Sequence, residues 1–222
     1  MKIDIITIFP QMFDSFLNES LLARAQKKKL LKINTHNLRK WTTDNHKTVD
    51  DRPYGGGAGM LLKIEPIFRA VESLKVKKFK GKKGRVILFS AKGKTLDQKK
   101  VRQLAKYDQL IFICGRYEGV DERVAKYVAD EEISIGNYVL FGGEIAAMVI
   151  VETVARLVPG VIAKSESVEF ESFADKEAKE KEYPQYTRPE IFILNGKKLR
   201  VPKVLLSGNH GEIDKWRKGL YK

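Results

Sequence analysis

The 222-residue sequence predicts an α/β fold, in which buried strands alternate with amphipathic helices. Runs rich in β-branched and aromatic residues at 3–9, 86–89 and 109–113 are typical of buried strands. Apolar residues recur at helical spacing within 12–17 and again within 96–104. This alternation of strands and helices is that of βαβ units.

The rest of the chain continues the alternation. The strand at 86–89 is expected to end in a glycine-containing turn at 90–93. A helix at 143–157 is apolar on every face in its middle, so we expect it to be buried. The other expected helices are 21–28, 66–74, 97–107, 120–127 and 213–217, and the other expected strands are 30–34, 131–135 and 191–194.

A change in composition after the helix at 143–157 divides the chain into domains, the main one being 1–162. Residues 163–182 are mostly charged or small, with Phe170 and Phe173 as the only large apolar side chains. We interpret them as an interdomain linker that orders only on binding. Residues 183–222 form a second domain that is too small to be stable without packing on something.

The net charge indicates the kind of partner. Lys plus Arg number 42 and Asp plus Glu number 28, which gives a net charge of +14 and a pI near 9.7. Such a balance favours a polyanionic partner, with nucleic acid ahead of an anionic membrane. Lysine pairs are scattered along the whole chain, however, and a generally lysine-rich proteome would produce the same charge.

Cysteine usage and hydropathy predict a soluble cytoplasmic protein. Cys114 is the only cysteine, which excludes an internal disulfide and a cysteine-based zinc site and agrees with a reducing compartment. We expect no secretion signal, because Lys2 is followed by Asp4 within a strand-like run. The longest apolar run, 145–151, is far too short to span a bilayer, so no membrane association is expected.

The stretch 114–144 is a candidate ligand pocket. It follows a buried strand and contains glycine turns at Gly115, Gly136 and 142–143. Glycine lets the backbone approach a ligand closely, so these turns suggest a pocket of main-chain amides and carbonyls. Strands in any α/β domain also end in glycine, and the pattern alone leaves both interpretations open.

The polar loop 39–60 is a second candidate site, since irregular loops of this length inside a domain are usually functional or disordered. Its glycines at 55–59 resemble a nucleotide loop only superficially. Met60 stands where the dinucleotide fingerprint needs its last glycine, and no Gly-Lys-Ser/Thr follows. We therefore reject NAD and P-loop nucleotides; the loop suits recognition of a nucleotide base instead.

A series of motifs occurs in a fixed order along nearly the whole chain. They are DNHKTVDDRPYGGGAGM, CGRYEGVDERV, SIGNYVLFGGE, ESFAD, YPQYTRPE and VPKVLLSGNHGEIDKWR. Each alone is weak, whereas the ordered set at compatible spacing is highly specific. Together they resemble the bacterial tRNA (guanine-N1)-methyltransferases, which act on the guanine at position 37 beside the anticodon.

The resemblance implies a SPOUT-class homodimer: an α/β domain with a deep trefoil knot, then a small, mainly helical C-terminal domain that binds tRNA. No pattern in the chain predicts the knot, because topology rules exclude knots by default. The resemblance also implies that S-adenosylmethionine binds within the knot. The residues implied to line that site are Leu88, Phe89, Ser90, Gly115, Tyr117, Glu118, Ser134, Ile135, Gly136, Tyr138, Leu140, Gly142 and Gly143.

Methylation at N1 requires a base and a cation. Neutral guanine carries a hydrogen on N1, so a base must remove it, and a cation must stabilise the charge that develops at N1 and O6. The family places an aspartate base directly before Ser-Phe in the linker, where this chain has Glu171. Glu171 is the expected base, with Glu169 and Asp175 as alternatives. Arg156 matches the family's arginine, although its spacing from Glu152 also suits a helix-face ion pair.

The remaining implied roles concern the metal and the RNA. Glu118 matches a glutamate tied to the magnesium dependence of these enzymes, so we expect Mg²⁺ to assist without a site built by the protein alone. Asp50 and Gly59 match positions that recognise the guanine preceding the target base. Each site of the dimer is expected to combine the knot of one subunit with the linker of the other. No protein partner beyond the second copy is inferred.

Two other functions fit part of the pattern. Another knotted RNA methyltransferase, acting on ribose 2′-hydroxyls, would not need a carboxylate beside a base edge. A basic RNA-binding protein without catalysis would not bind S-adenosylmethionine.

Overall fold

The computed structural model describes residues 1–75, 83–162, 172–173 and 183–219. The chain divides into two compact units, Met1–Ala163 and Lys164–Lys222. The strands of the first unit are β1 (Lys2–Thr7), β2 (Lys32–Asn37), β3 (Asp50–Asp51), β4 (Leu61–Leu62), β5 (Gly84–Thr95), β6 (Gln109–Cys114) and β7 (Glu131–Ser134). Five of them form a parallel sheet in the order β2-β1-β6-β5-β7. The short strands β3 and β4 form a separate antiparallel pair.

Helices connect these strands, and the predicted α/β class is confirmed. They are α1 (Asp14–Leu17), α2 (Ser20–Lys27), α3 (Ile64–Leu74), α4 (Gln98–Leu104), α5 (Glu122–Tyr127) and α6 (Glu144–Ala155), with short 3-10 helices at Pro10–Phe13 and Leu38–Trp41. The start of α4 illustrates how sequence sets a boundary. The Asp97 carboxylate accepts a hydrogen bond of 2.6 Å from the Lys100 amide and so caps the helix.

The sheet is buried on both faces. Along β6, Leu110 and Phe112 belong to a core shared with α6, whereas Ile111 and Ile113 belong to a core shared with α3 and α5. Successive side chains of a strand point to opposite faces. Apolar residues at every position are therefore typical of parallel strands covered by helices on both sides.

The structure corrects the expected end of the strand at 86–89. The predicted turn at 90–93 does not end it, because β5 continues to Thr95 with a shift of register against β7 between Phe89 and Lys94. The reason lies at Gly93, where an added Cβ would come within 2.7 Å of the Ile133 backbone nitrogen. The glycine serves a close approach of two strands rather than a turn.

The structure also corrects the expectation that the last helix of this unit is buried all round. Along α6, Ile150 and Val151 are buried, but Ile145 is 46% exposed and Met148 and Val149 are only half-buried. These three positions follow the three-to-four-residue spacing of one helix face. One apolar face of α6 is thus uncovered in the single chain.

The second unit begins with a β-hairpin. Strand β8 (Ile191–Leu194) pairs antiparallel with β9 (Lys197–Arg200), and helices α7 (Lys203–Leu206) and α8 (His210–Lys218) follow. Asn195 and Gly196 both have positive φ, as the tight turn between two strands requires. The predicted strand 191–194 and the last helix are present. The expectation of a mainly helical domain did not include the second strand, β9.

The expected linker, 163–182, lies outside the described residues apart from 172–173. The proposed base Glu171 and its alternatives Glu169 and Asp175 lie outside them too. Across the ranges that the structure describes, no helix is both long and apolar enough to cross a membrane.

Candidate active site

A cavity of about 250 Å³ opens where β6 and β7 end and where β5 shifts its register against β7. In a parallel sheet the carboxyl ends of the strands meet at one edge, which is where open α/β sheets bind ligands. The cavity lies between residues 88–92 of β5, the turn after β6 and the segment that leads into α6.

The structure brings together every residue that the resemblance implied for the methyl donor. Lys92, Val139 and Phe141 also line the cavity. Sequence reasoning missed them, because their only signal in the sequence is their position near the glycine turns. The expected residues in its walls are Leu88, Phe89, Ser90, Gly115, Tyr117, Glu118, Ser134, Ile135, Gly136, Tyr138, Leu140, Gly142 and Gly143.

Main-chain hydrogen bonds hold the turn after β6. The Glu118 amide donates to the Met60 carbonyl at 3.1 Å, and the Gly119 amide donates to the Arg116 carbonyl at 3.0 Å. Between them Tyr117 has a φ of 59°, in the left-handed region that non-glycine residues seldom adopt. A residue is kept in this conformation only where its surroundings fix it.

The two sides of the cavity meet most closely at Gly143. Its amide donates to the Gly115 carbonyl at 3.0 Å. A Cβ added at Gly143 would lie 2.8 Å from the Cys114 Cα and 3.1 Å from the Phe89 Cβ. Only glycine fits between Phe89 of β5 and the end of β6 here, so this part of the cavity is built of main chain.

A buried carboxylate follows this glycine. Glu144 is 1% exposed; it accepts a hydrogen bond of 2.6 Å from the Thr7 hydroxyl and pairs with Arg116 Nε at 2.9 Å. Burial raises the pKa of the nearby Cys114 thiol well above its usual range, and the Glu144 carboxylate raises it further. Cys114 is therefore a neutral, unreactive thiol. Sequence reasoning missed Glu144, whose only signal is an acid at the start of an apolar helix.

The glycine-rich loop reaches the cavity at Gly59. A Cβ there would lie 2.5 Å from the Glu118 Cγ, so the loop packs directly on that side chain. Asp50 lies in β3 opposite Leu62, whose amide donates to the Gly119 carbonyl at 3.0 Å. Gly59 therefore packs against the cavity residue Glu118, and Asp50 is linked to the turn after β6 through strand β4.

Arg156 is not brought to the cavity of its own chain. It caps the far end of α6, whose first turns line the cavity as far as Ala146. A helix rises about 1.5 Å per residue, which places the Arg156 backbone roughly 15 Å from that of Ala146. The predicted arginine is therefore separated from the donor site by most of the length of α6.

The described residues offer no ready-made metal cage. In those ranges, no three or more His, Cys, Asp or Glu side chains are grouped so that they could hold an ion. Glu118 is an exposed carboxylate in the wall of the cavity. One carboxylate suits a Mg²⁺ ion that takes its other ligands from water and substrate.

These features define an α/β protein with a ligand-sized cavity against main-chain turns at the carboxyl edge of a parallel sheet. A family model described as tRNA (Guanine-1)-methyltransferase TrmD matches residues 1–222. The chain belongs to this family.

Curated relatives agree with the family match. A tRNA (guanine-N(1)-)-methyltransferase of Carboxydothermus hydrogenoformans is 54% identical over 219 residues, covering 98% of this chain and 81% of the relative. The enzymes of that name from Geobacter sp. strain M21 and Clostridium novyi are each 52% identical over 218 residues. Those matches cover 98% of this chain and 84% and 85% of the two relatives.

Proposed function

We propose that this chain transfers a methyl group from S-adenosylmethionine to N1 of the guanine at position 37 of tRNA. The observation that carries the proposal is the family match over residues 1–222, which extends beyond the cavity into the second unit. As a member of this family, the chain is an S-adenosylmethionine-dependent tRNA (guanine-N1)-methyltransferase. Since tRNA is the substrate, we place the reaction in the cytoplasm.

A methyl-transfer assay on unmodified tRNA tests this proposal. Transcripts with guanine at position 37 should be methylated, and mass spectrometry of the digested product should find N1-methylguanosine. A transcript with adenine at this position serves as the matched control and should stay unmodified. Methylation of a ribose 2′-oxygen, or RNA binding without methylation, would contradict the proposal.

The cavity suits S-adenosylmethionine. Its walls combine apolar side chains such as Leu88, Ile135 and Leu140 with main-chain amides and carbonyls, which suit a ligand that has both an apolar ring face and polar edges. At Gly143 there is no room for a side chain, so a ligand there meets the backbone. When bound, S-adenosylmethionine supplies an electrophilic methyl group on sulfur.

Glu171 acts as the general base. Its carboxylate removes the hydrogen from guanine N1, so that the ring nitrogen carries the lone pair that the reaction needs. The motif position directly before Ser172-Phe173 supports the assignment. Glutamate keeps the carboxylate and is one methylene longer than the aspartate that the family has there.

Arg156 stabilises the negative charge that develops on guanine O6, and it does so in the site of a second copy. The length of α6 between Ala146 and Arg156 supports this arrangement, because it keeps the guanidinium away from the cavity of its own chain. A fixed cation at a developing oxyanion is among the larger contributions that an active site makes.

The chain works as a homodimer. Large apolar side chains near the cavity are exposed in the single chain. They are Val139 and Phe141 in the cavity wall, Ile145 in the first turn of α6, and Phe9 and Met12. Arg116, which lines the cavity, contacts both Phe9 and Met12. Exposed large apolar side chains grouped in this way are typical of an interface. In our proposal a second copy covers them, and each site takes its Arg156 and Glu171 from that copy.

The loop of residues 50–59 recognises the guanine that precedes the target base. The packing of Gly59 on Glu118 supports a base placed beside the methyl donor, because the loop and the donor cavity share a wall. Asp50 is a carboxylate that can accept hydrogen bonds from the N1 and N2 groups of guanine. We expect Mg²⁺ to bind between Glu118 and the substrates.

The second unit contacts tRNA. Its hairpin exposes apolar side chains on both faces, among them Phe192 at 54%. The segment 191–211 contains no Asp or Glu, while its basic residues are Lys197, Lys198, Arg200 and Lys203. Basic side chains neutralise phosphates, and an exposed aromatic ring can stack on an unpaired base.

The first unit carries the knot of SPOUT methyltransferases. One close passage of the backbone supports this topology. At Gly143 the segment before α6 passes Phe89 of β5 and Cys114 at the end of β6 so closely that no side chain fits. Glycine permits such a close passage of one segment against others.

A further inference from the structure

Arg116 has more contacts than a residue that merely lines a cavity. Its main chain forms isolated β-bridges with Gly119 and with Gly142. Its side chain pairs with Glu144 at 2.9 Å and donates to the Met12 sulfur at 3.0 Å, while its guanidinium carbon lies 4.8 Å from the Phe9 ring centroid. One residue thus connects the turn after β6, the segment before α6 and the chain after β1.

The Glu144 carboxylate holds this arrangement in place through hydrogen bonds. Its side chain is almost fully buried, and its two oxygens have different partners: one accepts from Thr7 at the end of β1, the other from Arg116. The Thr7 hydroxyl in turn accepts from the Phe9 amide at 2.9 Å. A buried carboxylate is stable only when such partners satisfy it, so moving Arg116 would leave Glu144 uncompensated.

The pair packs closely against the segment before α6. A Cβ at Gly142 would collide with the Arg116 side chain and the Glu144 carboxylate. The guanidinium group thus lies against Gly142, where the carboxylate pairs with it. Tyr117 and Glu118 follow Arg116 in the chain and line the cavity.

We infer that Glu144 is a positioning residue: through Arg116 it fixes the turn of residues 115–119 in the shape that holds the methyl donor. The inference rests on the proposed function, because it takes S-adenosylmethionine as the ligand of the cavity. It assigns to Glu144 no contact with the donor, only with Thr7 and Arg116.

The test compares two substitutions that each break an Arg–Glu pair. Glu144→Gln keeps the shape but removes the charge that holds Arg116, and should weaken S-adenosylmethionine binding in calorimetry roughly tenfold or more, as expected for one charge-assisted hydrogen bond. The matched control is Glu131→Gln, which breaks the pairs with Arg85 (3.0 Å) and with Lys100 outside the cavity. The control should leave donor affinity unchanged while lowering the melting temperature.

The KM values separate positioning from general loss of structure. In Glu144→Gln the KM for S-adenosylmethionine should rise, whereas the KM for tRNA should stay close to that of the wild type. Addition of Arg116→Ala to Glu144→Gln should cost no more donor affinity than Arg116→Ala alone, because both changes remove one interaction. Additive losses would show that Glu144 acts without Arg116 and would overturn the inference.

Other outcomes are also decisive. Wild-type affinity in Glu144→Gln would overturn the inference while leaving the proposed function intact. A wild-type protein that binds no S-adenosylmethionine would overturn the proposed function itself. If Glu144→Gln does not fold, Arg116→Gln breaks the same pair from its partly exposed side and carries the same expectation, a loss of donor affinity.

Discussion

The cavity in the first unit and the hairpin in the second are built on opposite principles. Around the cavity, hydrogen bonds join neighbouring main-chain segments. The Gly143 amide donates to the Gly115 carbonyl, and the Glu118 amide donates to the Met60 carbonyl. In the hairpin, every residue of β8 and β9 is exposed. Within 172–173 and 183–219, Ile213 is the one buried hydrophobic side chain. One region is fixed by its own contacts, and the other presents its side chains outward.

The difference corresponds to the ligand that we propose for each region. Methyl transfer needs the donor methyl about 3 Å from the acceptor nitrogen and in line with it, so the site must be rigid before the ligand arrives. A polyanion such as tRNA is attracted by charge over longer distances, so its binding surface needs basic side chains more than exact shape. Substitutions in the two regions should therefore affect different binding constants.

The largest effect is expected at Gly143. Gly143→Ala would place a methyl group 2.8 Å from the Cys114 Cα, and the backbone between β5 and β6 would have to move. We expect at least a roughly 100-fold loss of kcat/KM, since displacements of about 1 Å in an active site cost this much. The measurement is steady-state methylation together with calorimetry for S-adenosylmethionine.

Gly84→Ala is the matched control for this change. Its Cβ would meet nothing closer than the Gln109 carbonyl oxygen at 3.8 Å, so activity should stay close to wild type. Equal activity in Gly143→Ala and Gly84→Ala would show that the close passage at Gly143 is not needed for the donor site.

A mixing experiment asks whether the rigid cavity and the base come from different subunits. Gly143→Ala and Glu171→Gln should each be nearly inactive. If the base acts across the dimer, a heterodimer of the two has one intact site, and random exchange of subunits should restore about a quarter of wild-type activity. The measurement is initial rate after co-refolding or co-expression of the two variants.

No recovery in this mixture would place the base and the cavity in the same chain. A mixture of Gly143→Ala with Gly142→Ala is the control, because both lesions lie in the donor cavity and no combination of these subunits has an intact one.

Charge reversal in the hairpin should produce a smaller loss, confined to RNA binding. The triple variant Lys197→Glu, Lys198→Glu and Arg200→Glu should weaken tRNA binding at least tenfold at low salt and reduce the slope of log Kd against log salt by about 2. Its affinity for S-adenosylmethionine should not change. Filter binding at several salt concentrations and calorimetry measure the two quantities.

The control is the same charge change on an exposed surface at the amino edge of the sheet, in Lys27→Glu, Lys28→Glu and Lys32→Glu. If both triple variants lose tRNA affinity equally, the effect is one of net charge and the hairpin has no special role.

Much of this contrast could be predicted from the sequence, and the reasons for the exceptions are physical. Buried strands and the glycines after them are local features, so β1, β6 and the turn at Gly115 followed from pattern alone. The run 191–194 was identifiable as a strand because it is apolar and β-branched. Its partner β9 is mostly basic and was not, since its pairing follows from the Asn195-Gly196 turn rather than from its own composition.

The features that sequence could not predict depend on parts of the chain that are distant from each other. Glu144 became visible only when the fold brought Thr7 and Arg116 to it, from 137 and 28 residues away. The exposed face of α6 at Ile145 was missed because hydrophobicity on every face does not distinguish a core from an interface with a second copy. The separation of Arg156 from the cavity follows from the direction of α6.

The smallest effect on activity is expected at Asp4, which does not line the cavity but matters for the stability of the sheet. Burial by itself would raise the pKa of this carboxyl, but the side chains of His36, Lys2, Gln109 and Asn34 hydrogen-bond to it and together lower the pKa from 3.8 to about 2. A pKa that is lower in the folded state stabilises the fold above the unfolded pKa. A decrease of this size contributes about 2 kcal/mol at neutral pH, and the contribution is lost as the pH falls from about 4 to about 2.

Asp4→Asn should therefore lower the free energy of unfolding in urea by about 2 kcal/mol at pH 7. Its kcat and both KM values should stay near wild type at 25 °C. The gap between the two proteins should narrow below about pH 4. The control is Glu72→Gln, which changes an exposed carboxylate paired with Lys75 and should leave stability nearly unchanged at every pH. A gap between wild type and Asp4→Asn that stays constant down to the acid limit of folding would show that the charge of Asp4 does not stabilise the sheet.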